Sequence, residues 1–155
     1  MTTQQFEVRA RAAFEAMWRC SYAILQNSAD CEDALQETLM RGWRNLGSLR
    51  EEAYFETWLM RILINESRRI LKRRAVRAEA PMDARIPAQD GLSHELKDAI
   101  ARLPIRERVA FLLRYSGGYS IAEIAGMQKI PYHSARRRIE AAKKHLAQAL
   151  KEDLK

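Results

Sequence analysis

Metal and thiol chemistry have little to work with in this chain. Its two cysteines, Cys20 and Cys31, stand eleven residues apart, with no C-x-x-C spacing and no histidine beside them, which argues against a zinc module or a disulfide scaffold. They are expected to be reduced, half-buried helix residues. A redox pair stays open as the alternative, because sequence does not fix whether two Cα atoms lie within disulfide reach. The histidines, His94, His133 and His145, are scattered and lack ligand-like neighbours. No metal or cofactor is expected, and without a nucleophile–base pair the chain does not read as an enzyme with a small-molecule substrate. A Walker glycine loop is missing too, which removes nucleotide hydrolysis as a source of work. No run of about 18 apolar residues is available to cross a bilayer. The opening MTTQQFEVRARAAF has neither the charged start nor the apolar block of a signal peptide, so a soluble, cytoplasmic protein is expected. Only six glycines and four prolines occur beside 47% hydrophobic residues, a balance that favours folding over disorder. Few β-branched runs and no alternating segment of useful length leave little to make a sheet, and the expected fold class is all-α.

What the chain does have is positive charge, unevenly spread. Its 27 basic and 20 acidic residues give +7, which suits a polyanionic partner, with nucleic acid the simplest. Residues 1–77 carry +3, residues 78–93 carry −2 and residues 94–155 carry +6. The middle stretch, AEAPMDARIPAQDGLS, has two prolines, a glycine and no helical stripe; it reads as a flexible linker between two small helical domains with modest cores.

The second domain holds the clearest pattern. Lys129 to Lys144, KIPYHSARRRIEAAKK, has six cations and one acid and follows SIAEIA across an expected break at Gly126. That is the outline of a helix-turn-helix. Ala135, Ile139, Ala142, Leu146 and Leu150 recur at three- and four-residue spacing and must face the core. At 100° per residue, His133, Ser134, Arg137, Ala141 and Lys144 project from the other side, with Arg136 beside them. Pro131 suits a first helical turn, and Ser120 with Glu123 has the spacing of a capping box.

The first domain opens on a stripe of Phe6, Ala10, Ala13, Phe14, Met17, Trp18, Ile24 and Leu25. Asn27 and Ser28 are natural caps for a second helix. That helix is expected to turn Ala34, Leu35, Leu39, Trp43 and Leu46 inward and to stop at Gly47. Acids in its early turns favour the helix dipole, but the dipole gives no reason for Gln36. A third helix, Phe55 to about Arg74, is apolar nearly all round in its centre and ends in a track where six of the ten residues from Arg68 to Arg77 are Arg or Lys. Aromatics Tyr54, Phe55 and Trp58 lie just upstream, the combination a single strand needs for stacking and phosphate neutralisation; a core role for Trp58 is the competing reading.

These residues carry a resemblance. DALQETLMRGWRNL followed by FETWLMRILINESRRILKRR looks like the polymerase-binding and promoter-melting domain of bacterial extracytoplasmic-function (ECF) sigma factors of the sigma-70 family. LPIRERVAFLLRYSGGYSIAEIAGMQKIPYHSARRRIEAAKKHL resembles their C-terminal helix-turn-helix domain. Nearly the whole chain is covered, with no room for a further domain, as in the compact members of the family. The resemblance implies a sigma2-like domain over residues 1–77, a linker over 78–93 and a sigma4-like domain over 94–155. It implies that Asp33, Gln36 and Glu37, matching D-x-x-Q-E, dock on core RNA polymerase, which gives Gln36 its reason. Ser48, Leu49, Arg50 and Tyr54 then belong to a loop that captures a base flipped from the −10 element. Arg61, Asn65, Arg68, Arg69 and Lys72 fall on the helix that meets the melting DNA. Tyr132, His133, Ser134, Arg136, Arg137 and Lys144 face the −35 element. One departure is His133-Ser134-Ala135, where the family commonly has Gly-Thr-Val, so the resemblance does not carry over which −35 sequence is read. An anti-sigma protein, of a kind often tethered to the membrane, is implied as a further partner.

The expected function is therefore promoter-directed transcription initiation, with two weak DNA contacts made strong by linkage. A dimeric helix-turn-helix repressor acting without polymerase is the alternative, and it leaves the D-x-x-Q-E helix and the aromatic-basic third helix without a use.

Overall fold

The computed structural model describes residues 1–76 and 93–153; the expected linker, apart from Ser93, lies outside the described residues. Seven α-helices and two short 3-10 turns make up the described residues, with no strand among them. Helices α1 (Thr3–Leu25), α2 (Ser28–Arg44) and α3 (Phe55–Val76) pack on one another. So do α4 (His94–Ala101), α5 (Ile105–Tyr115), α6 (Ile121–Gln128) and α7 (Tyr132–Asp153).

The helix starts follow from local chemistry. Thr2 caps α1 reciprocally: its hydroxyl accepts from Gln5 N–H at 3.1 Å and Gln5 Oε1 accepts from Thr2 N–H at 2.8 Å, satisfying two donors that the helix leaves unpaired. Asn27 Oδ1 accepts from Asp30 N–H at 2.9 Å and Ser93 Oγ from Leu96 N–H at 3.2 Å. Pro104, which has no N–H to leave unpaired, precedes α5. Between α1 and α2 the chain turns on Gln26, in the left-handed region at φ 51°.

Phe55, Met17, Leu59 and Leu63 are fully buried between α1 and α3. Phe6 meets the rings of Phe55 and Trp43 edge-on, each at 5.6 Å, an arrangement that aromatic quadrupoles favour. At Gly42 a β-carbon would sit 2.9 Å from Leu59 Cδ1, so glycine is what lets α2 lie this close to α3. In the other group, Ala135, Ile139, Ala142 and Leu146 of α7 are buried as their spacing requires, and Leu150 is half-buried.

Three sequence expectations are corrected. Phe14 and Trp43 are 48% and 45% exposed: both sit at the edge of an apolar stripe, and periodicity cannot say how wide the covering neighbour is. Helix α2 ends at Arg44, because Asn45 closes it by donating from its backbone and side chain to Arg41 O; Gly47 lies in the following 3-10 turn. Cys20 and Cys31 are free thiols, fully rather than half buried. Burial pushes their pKa values up to about 12 and about 11.

The two groups of helices also pack against each other, α1 on α5 and α3 on α6, and their buried side chains form one continuous cluster. Arg108, 96% buried, is the centre of this junction. Its Nε donates to Ala23 O across the junction and its Nη1 to Ala101 O at 2.7 Å and Leu103 O at 3.2 Å. Burial lowers its pKa to about 10, which leaves the guanidinium charged at neutral pH. Gln26 Nε2 donates to Ala101 O at 3.4 Å, Arg19 Nη1 to Ser116 Oγ at 3.1 Å and Arg61 Nε to Gly126 O at 2.6 Å.

Candidate nucleic-acid interface

The helix-turn-helix is α6, a three-residue turn (Lys129, Ile130, Pro131) and α7. Ser120 Oγ accepts from Glu123 N–H at 3.1 Å and Glu123 Oε1 from Ser120 N–H at 3.0 Å, the reciprocal cap expected from the spacing. The helix does not break at Gly126; it runs on to Gln128 and stops where Lys129 takes a left-handed conformation at φ 55°. Ile130 N–H then donates to Ala125 O at 3.0 Å, a Schellman closure. Pro131 lies one residue before α7, and its carbonyl accepts from Ser134 and Ala135 at 3.0 and 3.1 Å.

With the apolar stripe of α7 turned inward, Tyr132 is 55% exposed and His133, Arg136, Arg137 and Lys144 are also exposed, while Ser134 and Ala141 are half-buried. All lie on the outer side of the helix. His145 Nδ1 lies 2.7 Å from Glu107 Oε2 of α5, fixing the middle of α7 on its support.

In the first group, Arg61, Asn65, Arg68, Arg69 and Lys72 are exposed at three- and four-residue steps along α3. Arg69 leans on the buried carboxylate of Glu66 at 3.3 Å. Ser48, Leu49, Arg50 and Tyr54 come together with Trp58 and Arg61 around a cavity of about 570 Å³. Tyr54 is 62% exposed at its edge, and Trp58, half-buried, serves as both core and cavity wall. The opposite wall is Ala122, Glu123 and Gly126 of α6. The helix-turn-helix thus stands against the loop of residues 48–54, to which the family resemblance assigns base capture.

Asp33, Gln36 and Glu37 share one side of α2, above a cleft of about 420 Å³ that runs to Arg69 and Arg73 of α3. Asp33 and Gln36 are exposed. Glu37 pairs with Arg41 at 2.9 Å, and Arg41 reaches Glu66 at 3.0 Å, so an ionic chain stiffens the seam between α2 and α3. Sequence reading missed Met40, 47% exposed in the same cleft, and Trp43 beyond it. The signal was present: 33, 36, 37 and 40 are i, i+3, i+4 and i+7 on one helix. No cluster of three or more potential metal ligands occurs among the described residues, and no described helix is long and apolar enough to cross a membrane.

Comparison with known proteins shows the family. Residues 13–77 match the family model for sigma-70 region 2, and residues 93–146 match that for sigma-70 region 4. The chain is 32% identical to the ECF RNA polymerase sigma-E factor of Escherichia coli over 136 residues, covering 75% of this chain and 71% of that one. It is 29% identical to the ECF RNA polymerase sigma factor SigM of Mycobacterium tuberculosis over 153 residues, covering 90% and 78%. Among solved structures, the fold matches the sigma factor RpoE of Bartonella quintana, in complex with the anti-sigma factor NepR, with a TM-score of 0.81 at 23% identity over 96% of this chain and 98% of that one. It also matches CnrH, in complex with the cytosolic domain of CnrY, with a TM-score of 0.74 at 18% identity over 98% and 91%. A region 2 and a region 4 in one all-helical chain define a sigma-70-type transcription initiation factor, specific for promoters. Within that class the chain belongs to the ECF RNA polymerase sigma factors, a family of transcription factors rather than of enzymes.

Proposed function

We propose that this sigma factor works as two reading heads carried by core RNA polymerase in the cytoplasm. Residues 1–77 form the head that docks on core polymerase through Asp33, Gln36 and Glu37, with Met40 and Trp43 adding apolar area. The same head holds a flipped −10 base between Ser48, Leu49, Arg50 and Tyr54, and Arg61, Asn65, Arg68, Arg69 and Lys72 follow the melted strand. Residues 94–155 form the −35 head, with Tyr132, His133, Ser134, Arg136, Arg137 and Lys144 toward the DNA. Residues 78–93 link the two. The observation that carries this reading is the outward side of α7: its apolar stripe is buried, while its aromatic, imidazole and guanidinium groups remain solvent-facing at the end of the helix that enters a major groove.

Melting needs no nucleotide hydrolysis in this scheme. Extruded bases and the single strand supply the free energy, because they bind only when the duplex is open. In the arrangement described here α6 walls the base-capture cavity and occupies Arg61. The two heads must therefore part before the −10 element is read, and polymerase, which binds the parted form better, shifts that equilibrium. RpoE and CnrH, the solved relatives, are each in complex with a partner described as an anti-sigma factor or the cytosolic domain of CnrY; that supports an anti-sigma protein that favours the closed form of this chain.

Run-off transcription with purified bacterial core polymerase over a pooled promoter library, at fixed salt, tests the proposal; salt matters because phosphate contacts make affinity steeply dependent on it. Transcripts that require the protein and start downstream of a shared two-element sequence are expected. Tight duplex binding with neither transcripts nor core binding would overturn the proposal in favour of a repressor.

A further inference from the structure

The seam between α3 and the second group holds a cluster that promoter recognition does not use in full. Gln128, the last residue of α6, is only 6% exposed, yet neither its Nε2 nor its Oε1 has a hydrogen-bond partner among the described residues. A buried primary amide carries two donors and an acceptor, and leaving them unmet is costly. Arg138 Nη1 is buried without a partner as well. Both side chains line a cleft of about 320 Å³, whose walls also carry Arg68 of α3, Arg106 of α5 and Lys129 of the turn. No carboxylate lines this cleft, and none of these four cations has an ion pair among the described residues. Arg138 is pushed toward deprotonation, first by burial and then by the fields of Arg106 and Arg68.

Four cations around unmet donors call for negative charge, and among the described residues no carboxylate lines the cleft to supply it. We propose that this cleft binds a small anion bearing two or more phosphate groups, whose oxygens accept from Arg138 Nη1 and Gln128 Nε2 while Arg68, Arg106 and Lys129 neutralise its charge. Gln128 Oε1 accepts from a hydroxyl or a protonated phosphate oxygen of the same ligand. The volume suits a molecule of that size. Because the walls come from both groups of helices, the bound anion bridges them and adds its binding free energy to the closed form. It also withholds Arg68 from the −10 strand; this consequence rests on the proposed function, whereas the binding site does not.

Isothermal titration of the full chain with inorganic tripolyphosphate at fixed ionic strength tests the site. Saturable one-to-one binding is expected, weakened about tenfold or more in Arg138→Gln, since a charge-assisted bond is lost. Gln128→Leu should fold at least as well as the parent, having lost an unmet amide, yet bind more weakly. Arg106→Gln, on an exposed side chain, gives a second loss should Arg138→Gln fail to fold. Arg11→Gln, an exposed cation elsewhere, should leave binding unchanged. No saturable binding, or equal weakening by Arg11→Gln, would overturn the site. A single-stranded oligonucleotide of equal phosphate count that binds more tightly and is equally weakened by Arg138→Gln would assign the cleft to a nucleic-acid backbone and overturn the small-ligand claim. If tripolyphosphate binds but leaves run-off transcription untouched, the competition for Arg68 fails and the site stands.

Discussion

At the scale of single residues, Arg137 of α7 gives the sharpest expectation. It is exposed on the side of α7 opposite Ile139 and Ala142, and a bidentate contact from it to a base edge is worth about 1–3 kcal/mol. Arg137→Ala should therefore lower discrimination between matched and mismatched −35 elements by that amount in competitive transcription, with thermal stability unchanged. Unchanged discrimination would remove Arg137 from the reading face. The buried thiols make a second expectation. Both free-cysteine pKa values are raised above the ordinary 9.0, mainly by burial, so the folded state holds its thiol protons more tightly than the unfolded chain does. Their contribution to stability is complete below about pH 9 and is lost as pH rises toward 11 and 12. Tyr119, raised by burial and by Glu56, adds a loss of the same sign. Urea unfolding across this range should show stability falling with pH, less steeply in Cys20→Ala, and thiol reagents should label the native protein only as fast as it opens. The same residues show how far sequence reaches. Spacing alone said that Cys20 shares a helix with Met17 and Ile24, but how deeply it sits depends on α3, forty residues away, which no local pattern records.

At the scale of elements, the helices were legible because their causes are local. The Ser120–Glu123 box and the Asn27 cap are carried by side chains within three residues of the donors they satisfy. The stops were less legible. Gly126 looked like a break, yet it lies inside α6, where a β-carbon would come 3.2 Å from Thr57 Cγ2; its use is close packing rather than a turn. The left-handed position fell to Lys129, a residue type with no special preference for it. Ser120→Ala should cost the protein about 1 kcal/mol, and Lys129→Gly should return a similar amount by relieving the positive φ. Chemical denaturation of the two variants gives both signs, and a neutral Ser120→Ala would mean that tertiary packing rather than its cap holds α6. The candidate site divides in the same way. The face of α7 was legible from periodicity, and the α2 face was reachable through i, i+7 spacing to Met40. The ionic chain Glu37–Arg41–Glu66–Arg69 was not, since it joins two helices whose relative register sequence does not state.

At the scale of the whole molecule, the closed packing of the two groups is what sequence left unread. The bonds that make it are mostly guanidinium and amide donors meeting main-chain carbonyls, which carry no sequence signature. The proposed parting of the heads is testable through this packing. Thr57 and Gly126 face each other across it, a β-carbon at Gly126 coming 3.2 Å from Thr57 Cγ2. A Thr57→Cys, Gly126→Cys double variant should cross-link under oxidation, because Cys20 and Cys31 are buried and do not compete. The cross-linked protein should lose core-dependent transcription, and reductant should restore it. Full activity in the locked state would show that promoter opening proceeds without separation of α3 from α6.

The bonds from Arg61 to Gly126 O, from Arg108 to Ala23 O and from Gln26 to Ala101 O have a genetic asymmetry built into them. Every residue brings a carbonyl, so no codon change at the three accepting positions deletes the acceptor; only Arg61, Arg108 and Gln26 can lose their half of the bond. Natural variation can thus remove each of these three bonds only at its donor, and the donors stand on both sides of the seam, Arg61 and Gln26 with the first group and Arg108 with the second. A lineage that needs a more readily released factor has a short mutational path to it, and none of the three donors lies on α7.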